Sequence, residues 1–306
     1  MHKLIEFVLI MVLATTGAST PISLTDDSAN QAQAQELLTQ ARKALGGEAK
    51  LKAVLSLSCA GKFRRIIAPN APDMDGDFEM EFLLPDKYKR TDNMTALGGA
   101  AQITIGTGFN GDQLLEEQNS GGGGGMVVMR RGGGDDEKSK AARLVSVKSE
   151  ATRTLLLLLL TPPDSAQLQF SYAGEAESPD GKADVIEAKG TNNFAARLFL
   201  DKKTHQPLML SYRAVVPRMI VNTVQAHGHA EAEKMSKDIE KQAQEEVAKA
   251  QKNESEIQVF LTDYRTVDGL SLPHKITRQV NGEVNEEMEF AKFKINPPLK
   301  AERFKK

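Results

Sequence analysis

Apolar and polar positions change period several times along this chain, and each change marks an element. Between residues 29 and 45, Leu37, Leu38, Ala41, Ala44 and Leu45 recur at helical spacing, and Gly46-Gly47 stops the run. Asp27 or Ser28 is placed to cap its start. An apolar, strand-like run follows at 55–60. Phe78, Met80, Phe82 and Leu84 then alternate with Glu79 and Glu81, which predicts a strand with one covered and one wet face. Pro85-Asp86 turns the chain into a polar strand at 87–92. A further strand at 101–107 reaches Phe109-Asn110-Gly111-Asp112, a hairpin turn into 113–117.

The stretch 119–137 has no period. Gly121 to Gly125 and Gly132 to Gly134 flank the island Met126-Val127-Val128-Met129-Arg130-Arg131. So much glycine predicts a flexible loop, either plain disorder or a mobile lid. Its glycines match no phosphate-binding pattern, because neither a closing Gly-Lys-Ser/Thr nor a Gly-x-Gly-x-x-Gly turn is present. A second helix begins near Asp136-Glu137, whose carboxylates suit its dipole, and ends in six leucines, Leu155 to Leu160, before Thr161-Pro162-Pro163. Leucines on every side of a helix must be enclosed. The run either plugs the core or lines an apolar cavity.

From residue 166 strands follow one another, at 168–173, 183–190, 195–201 and 207–214. Ser178-Pro179-Asp180-Gly181 and Asp201-Lys202-Lys203-Thr204 form the hairpins between them. A polar helix is expected at 229–253, with Glu233/Lys237 and Glu245/Lys249 four residues apart. Its narrow apolar stripe either rests on the sheet or pairs with a partner helix. Strands resume at 256–265, 271–280 and 283–295, joined by Val267-Asp268-Gly269-Leu270 and by Asn281-Gly282. The expected fold is mainly β with helices (α+β): an unclosed antiparallel half-barrel of about eleven strands wrapped around inserted helices.

Composition narrows the chemistry. A net charge of -2 makes no case for nucleic acid or an anionic membrane surface. Cys59, the single cysteine, allows no intramolecular disulfide, and its apolar strand makes it a buried structural thiol rather than a nucleophile. His227-Gly228-His229 lacks the third ligand a zinc site wants. Asp73, Asp75 and Asp77 hint at a calcium loop, but the twelfth position from Asp73 is Leu84, not the required glutamate. Neither a Gly-x-Ser-x-Gly elbow nor a His-Glu-x-x-His pair is present. No catalytic residue, metal or cofactor is expected.

The first residues read as a signal peptide at 1–18. Lys3 precedes an apolar run from Phe7 to Ala14, too short to span a bilayer, and Thr16-Gly17-Ala18 supplies small residues for cleavage. The remainder, 19–306, is expected to be one half-barrel domain, soluble after export, with the loop at 119–137 and the helix at 229–253 as additions.

Short motifs carry a resemblance. They are the helix ending in Gly46-Gly47, Leu83-Leu84-Pro85-Asp86-Lys87-Tyr88, Phe109-Asn110-Gly111-Asp112, and Tyr264-Arg265 with Asp268-Gly269-Leu270 and Leu272-Pro273. Phe293-Lys294-Ile295-Asn296-Pro297-Pro298 completes the set. Together they resemble the periplasmic lipoprotein carriers, the LolA/LolB-like half-barrel superfamily that includes outer-membrane lipoprotein-sorting proteins. The resemblance implies a concave apolar face capped by helices and transport of acyl chains. It departs at Leu84, where the best-known carriers place an arginine that holds the lid closed. Phe78, Met80, Phe82, Leu84, Leu156, Leu157 and Leu158 are the candidate ligand-binding residues. The expected ligand is a lipid, acyl chain or lipoprotein. The alternative is a non-enzymatic envelope sensor or interaction module using 229–253 as a docking arm. On the export reading, N-terminal sequencing of the secreted protein returns Ser19 as the first residue; an intact Met1 in the soluble fraction contradicts it.

Overall fold

Backbone pairing sorts the described residues of the computed structural model (24–66, 73–96, 101–121, 126–130, 136–179, 181–216, 220–224 and 254–305) into three α-helices and fourteen strands. The expected signal peptide and the expected helix at 229–253 lie outside these residues. Helix α1 (Leu24–Ala44) places Ala34, Leu38 and Ala41, with Leu45 just beyond it, on one fully buried stripe. It starts upstream of Asp27 and Ser28, so neither residue caps it as the sequence suggested. A short helix α2 (Glu48–Lys52) follows the glycine stop.

The strands are β1 (Ser56–Arg65), β2 (Met74–Leu83), β3 (Lys87–Ala96), β4 (Ala101–Asn110), β5 (Gln113–Gly121), β6 (Met126–Arg130) and β7 (Gln169–Ser178). After them come β8 (Gly181–Lys189), β9 (Ala195–Asp201), β10 (Pro207–Ala214), β11 (Ile220–Val224), β12 (Ser255–Val267), β13 (Leu270–Val280) and β14 (Glu283–Ile295). Twelve of them form one antiparallel sheet in the order β5-β4-β3-β2-β1-β14-β13-β12-β10-β9-β8-β7. β5 and β7 remain as separate edges, so the sheet is the expected unclosed half-barrel. Most neighbours are hairpins. The joins of β10 to β12 and of β1 to β14 are the exceptions, and the latter ties both ends of the described chain into the middle of the sheet.

The expected loop at 119–137 needs correction. Asn119, Ser120 and Gly121 complete β5, and the apolar-basic island is β6, which pairs with β11 in a separate two-stranded sheet. Glycine content argued for disorder because the strand's backbone partner lies far away at 220–224, invisible to any local window. Asp136 caps helix α3 (Glu137–Leu159) by accepting a 3.0 Å hydrogen bond from the Ser139 amide.

One face of the large sheet carries the core. Leu57, Phe78, Met80, Phe82, Leu198, Leu210, Leu261, Ile276 and Phe290 form a single buried cluster with the stripe of α1 and the leucines of α3. α1 lies along β7, and α3 reaches β4, β5, β10 and β13. The Arg42 side chain on α1 donates a 3.2 Å hydrogen bond to the carbonyl of Leu160, the left-handed cap of α3, so the two covering helices are tied end to end.

Curvature has a local cause. Register shifts interrupt the ladders between Ala60 and Gly61, Tyr172 and Gly174, Pro207 and Met209, and Arg278 and Gln279. Such bulges bend and twist a sheet. At Gly61 the opposing backbone comes so near that a Cβ would stand 1.9 Å from the Glu289 carbonyl oxygen. On the reverse face the C-terminal residues fasten the sheet. The Asn296 carboxamide accepts from the Leu55 and Ser56 amides at 2.7 and 3.2 Å, and Arg303 pairs with buried Glu81 at 2.8 Å. Gly61→Ala is therefore expected to cost about 2 kcal/mol or more, because the strand must move to admit one methyl. Lys62→Ala, at an exposed neighbour, is expected to change little. Thermal melting of both variants checks the contrast.

Candidate functional site

Between α3 and the concave face lies a cavity with about 30 Å³ of room for solvent. Its apolar walls include Met80, Leu157, Val259, Ile276, Met288 and Phe290. Its polar groups are Tyr88, Arg90, Glu150, Arg153, Thr154, Tyr212, Arg278 and Glu286. A volume of this size holds about one or two waters, and no acyl chain.

The sheet register explains the division. Arg65, Glu286, Arg278, Val259 and Leu210 stand side by side across β1, β14, β13, β12 and β10. The next row inward is Phe63, Met288, Ile276 and Leu261. Polar groups therefore gather toward the Asn281-Gly282 hairpin, and apolar rows lie further along the strands. Tyr212, one row beyond Leu210, belongs to the polar end.

Four charges close on one another there. Arg65 and Arg90 both donate to the Glu286 carboxylate, Arg90 at 3.0 Å, and both also donate to Asp92, at 3.1 and 2.7 Å. Two cations and two anions balance, and all four side chains are at most 17% exposed. Burial alone would raise the Glu286 carboxyl, but Arg90, Arg65 and Arg278 override it and hold the group at about 2. Desolvation opposes the charge on Arg90 as well, and Asp92 and Glu286 outweigh it, so its pKa lies well above the usual arginine value.

A second polar group sits beside the first. The Arg153 guanidinium lies 3.8 Å from the centre of the Tyr212 ring and 5.1 Å from that of Phe194. Its nearest carboxylate is Glu150 at 3.8 Å, on a half-exposed side chain at the rim. The Tyr212 hydroxyl is 3.4 Å from Glu150; burial pushes it up to about 12.

The structure separates the residues that sequence reasoning grouped together. Met80 and Leu157 line the cavity. Phe78 and Phe82 stand one layer behind, packed edge-on against Phe290 and tilted against Tyr88 at 5.0 and 4.7 Å between ring centres. Leu156 and Leu158 are fully enclosed in filled core, and Leu84 lies half-buried at its margin. Cys59 is buried as expected, and desolvation pushes its thiol up to about 12. Among the described residues no group of three or more His, Cys, Asp or Glu is placed to hold a metal. The pair His227 and His229 lies outside them. Among the described residues no helix is long and apolar enough to cross a membrane.

The charged lining escaped the sequence reading, although a signal existed. Arg90 and Asp92 are in phase with Tyr88 and Met94, and Glu286 is in phase with Met288 and Phe290. A charge in phase with an apolar stripe marks a buried polar group.

Open half-barrels with a helix-covered concave face define the class to which this arrangement corresponds. Among solved structures the chain is similar to a LolA superfamily protein from Nitrosomonas europaea, at 10% identity over 89% of this chain and 97% of that one, TM-score 0.48. It is also similar to an outer membrane lipoprotein-sorting protein domain from Vibrio parahaemolyticus, at 9% identity over 90% of this chain and 97% of that one, TM-score 0.45. No protein-family model matches the sequence, and no curated protein does.

The electrostatics of Glu286 set a pH dependence. Its folded pKa lies below the unfolded value of about 4.3, so the stability it contributes is present above that pH and lost as pH falls toward about 2. The melting temperature is expected to drop across this window. Glu286→Gln, which leaves Asp92 as the one carboxylate shared by Arg65 and Arg90, should start lower by about 3 kcal/mol and show a shallower slope there. A pH series of melting curves checks both.

Proposed function

We propose that the protein is an exported, non-catalytic carrier or binding protein for a hydrophobic ligand, a lipid, acyl chain or lipoprotein, in the bacterial envelope. One observation carries this reading: the concave apolar face of an open sheet is covered by a separate helix, α3, which packs its leucines into that face and leaves a small cavity of about 30 Å³ at one end. The covering leucines fill most of the volume an acyl chain would need. A ligand therefore enters by displacing α3 from the sheet, exchanging leucine contacts for acyl contacts of the same kind at little net cost in buried area. The signal-like N-terminus supports export.

The test is binding of a fluorescent fatty-acid probe to protein stripped of endogenous lipid. The expected result is saturable binding with about one site per chain. Leu157→Asp puts a carboxylate into the cavity wall one helical turn from Arg153, so the fold should survive while binding falls. Leu158→Asp puts the same charge into filled core and should unfold the protein. Absence of binding by the stripped wild type would overturn the carrier reading.

A further inference from the structure

We propose that the ligand carries an anionic head group, a carboxylate or phosphate on an acyl chain, and that Arg153 and Arg278 receive it beside Tyr212. This rests on the carrier reading and specifies its ligand class. The argument begins with the charges around the cavity. Arg65 and Arg90 are saturated by Asp92 and Glu286. Arg153 and Arg278 are not matched in the same way. Arg153 has only Glu150, at 3.8 Å and half exposed, and its Nε is buried with no hydrogen-bond partner. Arg278 spends one donor on the neutral Asn285 carboxamide and is the third guanidinium around a single Glu286 carboxylate. The cluster thus holds four guanidinium groups, Arg65, Arg90, Arg153 and Arg278, against three carboxylates, Asp92, Glu150 and Glu286.

A buried donor without a protein acceptor is costly, so at a cavity it is a group to which a water or a ligand oxygen binds. Here the donor belongs to an arginine whose plane is already fixed by stacking on Tyr212 at 3.8 Å. A fixed guanidinium presents its fork without further ordering, the geometry that suits carboxylate and phosphate oxygens. Tyr212 lies between the two cations on the cavity wall, with its ring under Arg153 and Arg278 lining the same cavity. Both guanidinium groups line one cavity of about 30 Å³, so one anion seated there can meet both.

The rest of the cavity supplies the direction of the chain. From the polar row near the Asn281-Gly282 hairpin, the concave face passes to Met288 and Ile276, then to Phe290 and Met80. A head at Arg153 and Arg278 leaves an attached acyl chain running over Met288, Ile276, Phe290 and Met80, while Asp92 and Arg90, at the β3 end of the last two rows, are paired with each other. A neutral acyl group would leave the Arg153 donor unpaired, and a cationic amphiphile would meet like charge.

The experiment compares palmitate, a lysophosphatidic acid, hexadecanol and inorganic phosphate as competitors for a fluorescent fatty-acid probe on the delipidated full chain. Palmitate and the lysophosphatidic acid are expected to displace the probe at least about tenfold more tightly than hexadecanol. Phosphate alone is expected to displace nothing at millimolar concentration. Arg153→Gln should remove most of the difference between palmitate and hexadecanol while leaving hexadecanol unchanged, with melting curves confirming the fold. The comparison of ligands on the wild type needs no variant, so it stands even if Arg278→Gln fails to fold. Equal binding of hexadecanol and palmitate overturns the anionic head and leaves the carrier reading intact. Displacement by phosphate alone overturns the amphiphile in favour of a free-anion site. Failure of every acyl ligand removes the carrier reading itself.

Discussion

An unclosed sheet with an apolar concave face must be covered, and the rest of this structure follows from how that covering is arranged. A closed barrel would bury its own interior. This sheet stops at β5 and β7, so the face carrying Leu57, Met80, Leu210 and Ile276 needs helices from outside the ladder. The stripe of α1 and the leucines of α3 provide them, and the Arg42 bond to the Leu160 carbonyl joins the two covers. Six leucines in a row make sense in this setting. A helix end pressed into the hollow of a curved sheet is enclosed on every side, so no polar face is needed.

Charge is the second organising element. Burying four arginines near three carboxylates contributes little to stability by itself, because desolvation offsets most of the attraction. Its structural effect is to keep the polar end of the hollow open, since guanidinium groups held by carboxylates cannot pack together like leucines. The cavity therefore sits where two kinds of lining meet, apolar at Met80, Leu157, Ile276, Met288 and Phe290 and charged at Arg90, Glu150, Arg153, Arg278 and Glu286. Tyr212 lies between them, its ring stacked by Arg153 and its hydroxyl bonded to Glu150.

That division bears directly on function. A hollow packed by leucines alone would be ordinary core, and a polar pocket alone would suit a small ion. An apolar hollow with fixed cations at one end is the shape of an amphiphile. Covering the hollow with a separate helix, rather than with another strand, lets the cover move without breaking the sheet ladder. The sheet ladder forms the wall, while α3 meets it through leucine contacts and through ion pairs such as Arg143–Glu116 and Lys148–Asp112.

Much of the fold was legible in the residues. Alternation placed Phe78, Met80 and Phe82 on one covered face, and Asn281-Gly282 and Asp268-Gly269, all four in left-handed conformations, marked their hairpins. The extent of α3 followed from Asp136, the leucine run and the two prolines, and the buried state of Cys59 from its apolar neighbours. These are local properties, decided by period and turn chemistry within a few residues. Tertiary structure alone decided that β1 lies against β14, that Met126 to Arg130 is a strand, and that Leu157 lines the cavity while Leu156 and Leu158 do not. It also decided that Arg65, Arg90, Asp92 and Glu286 meet. A period assigns a residue to a face, but which residues share that face across non-adjacent strands depends on long-range register, and no local sequence window contains it.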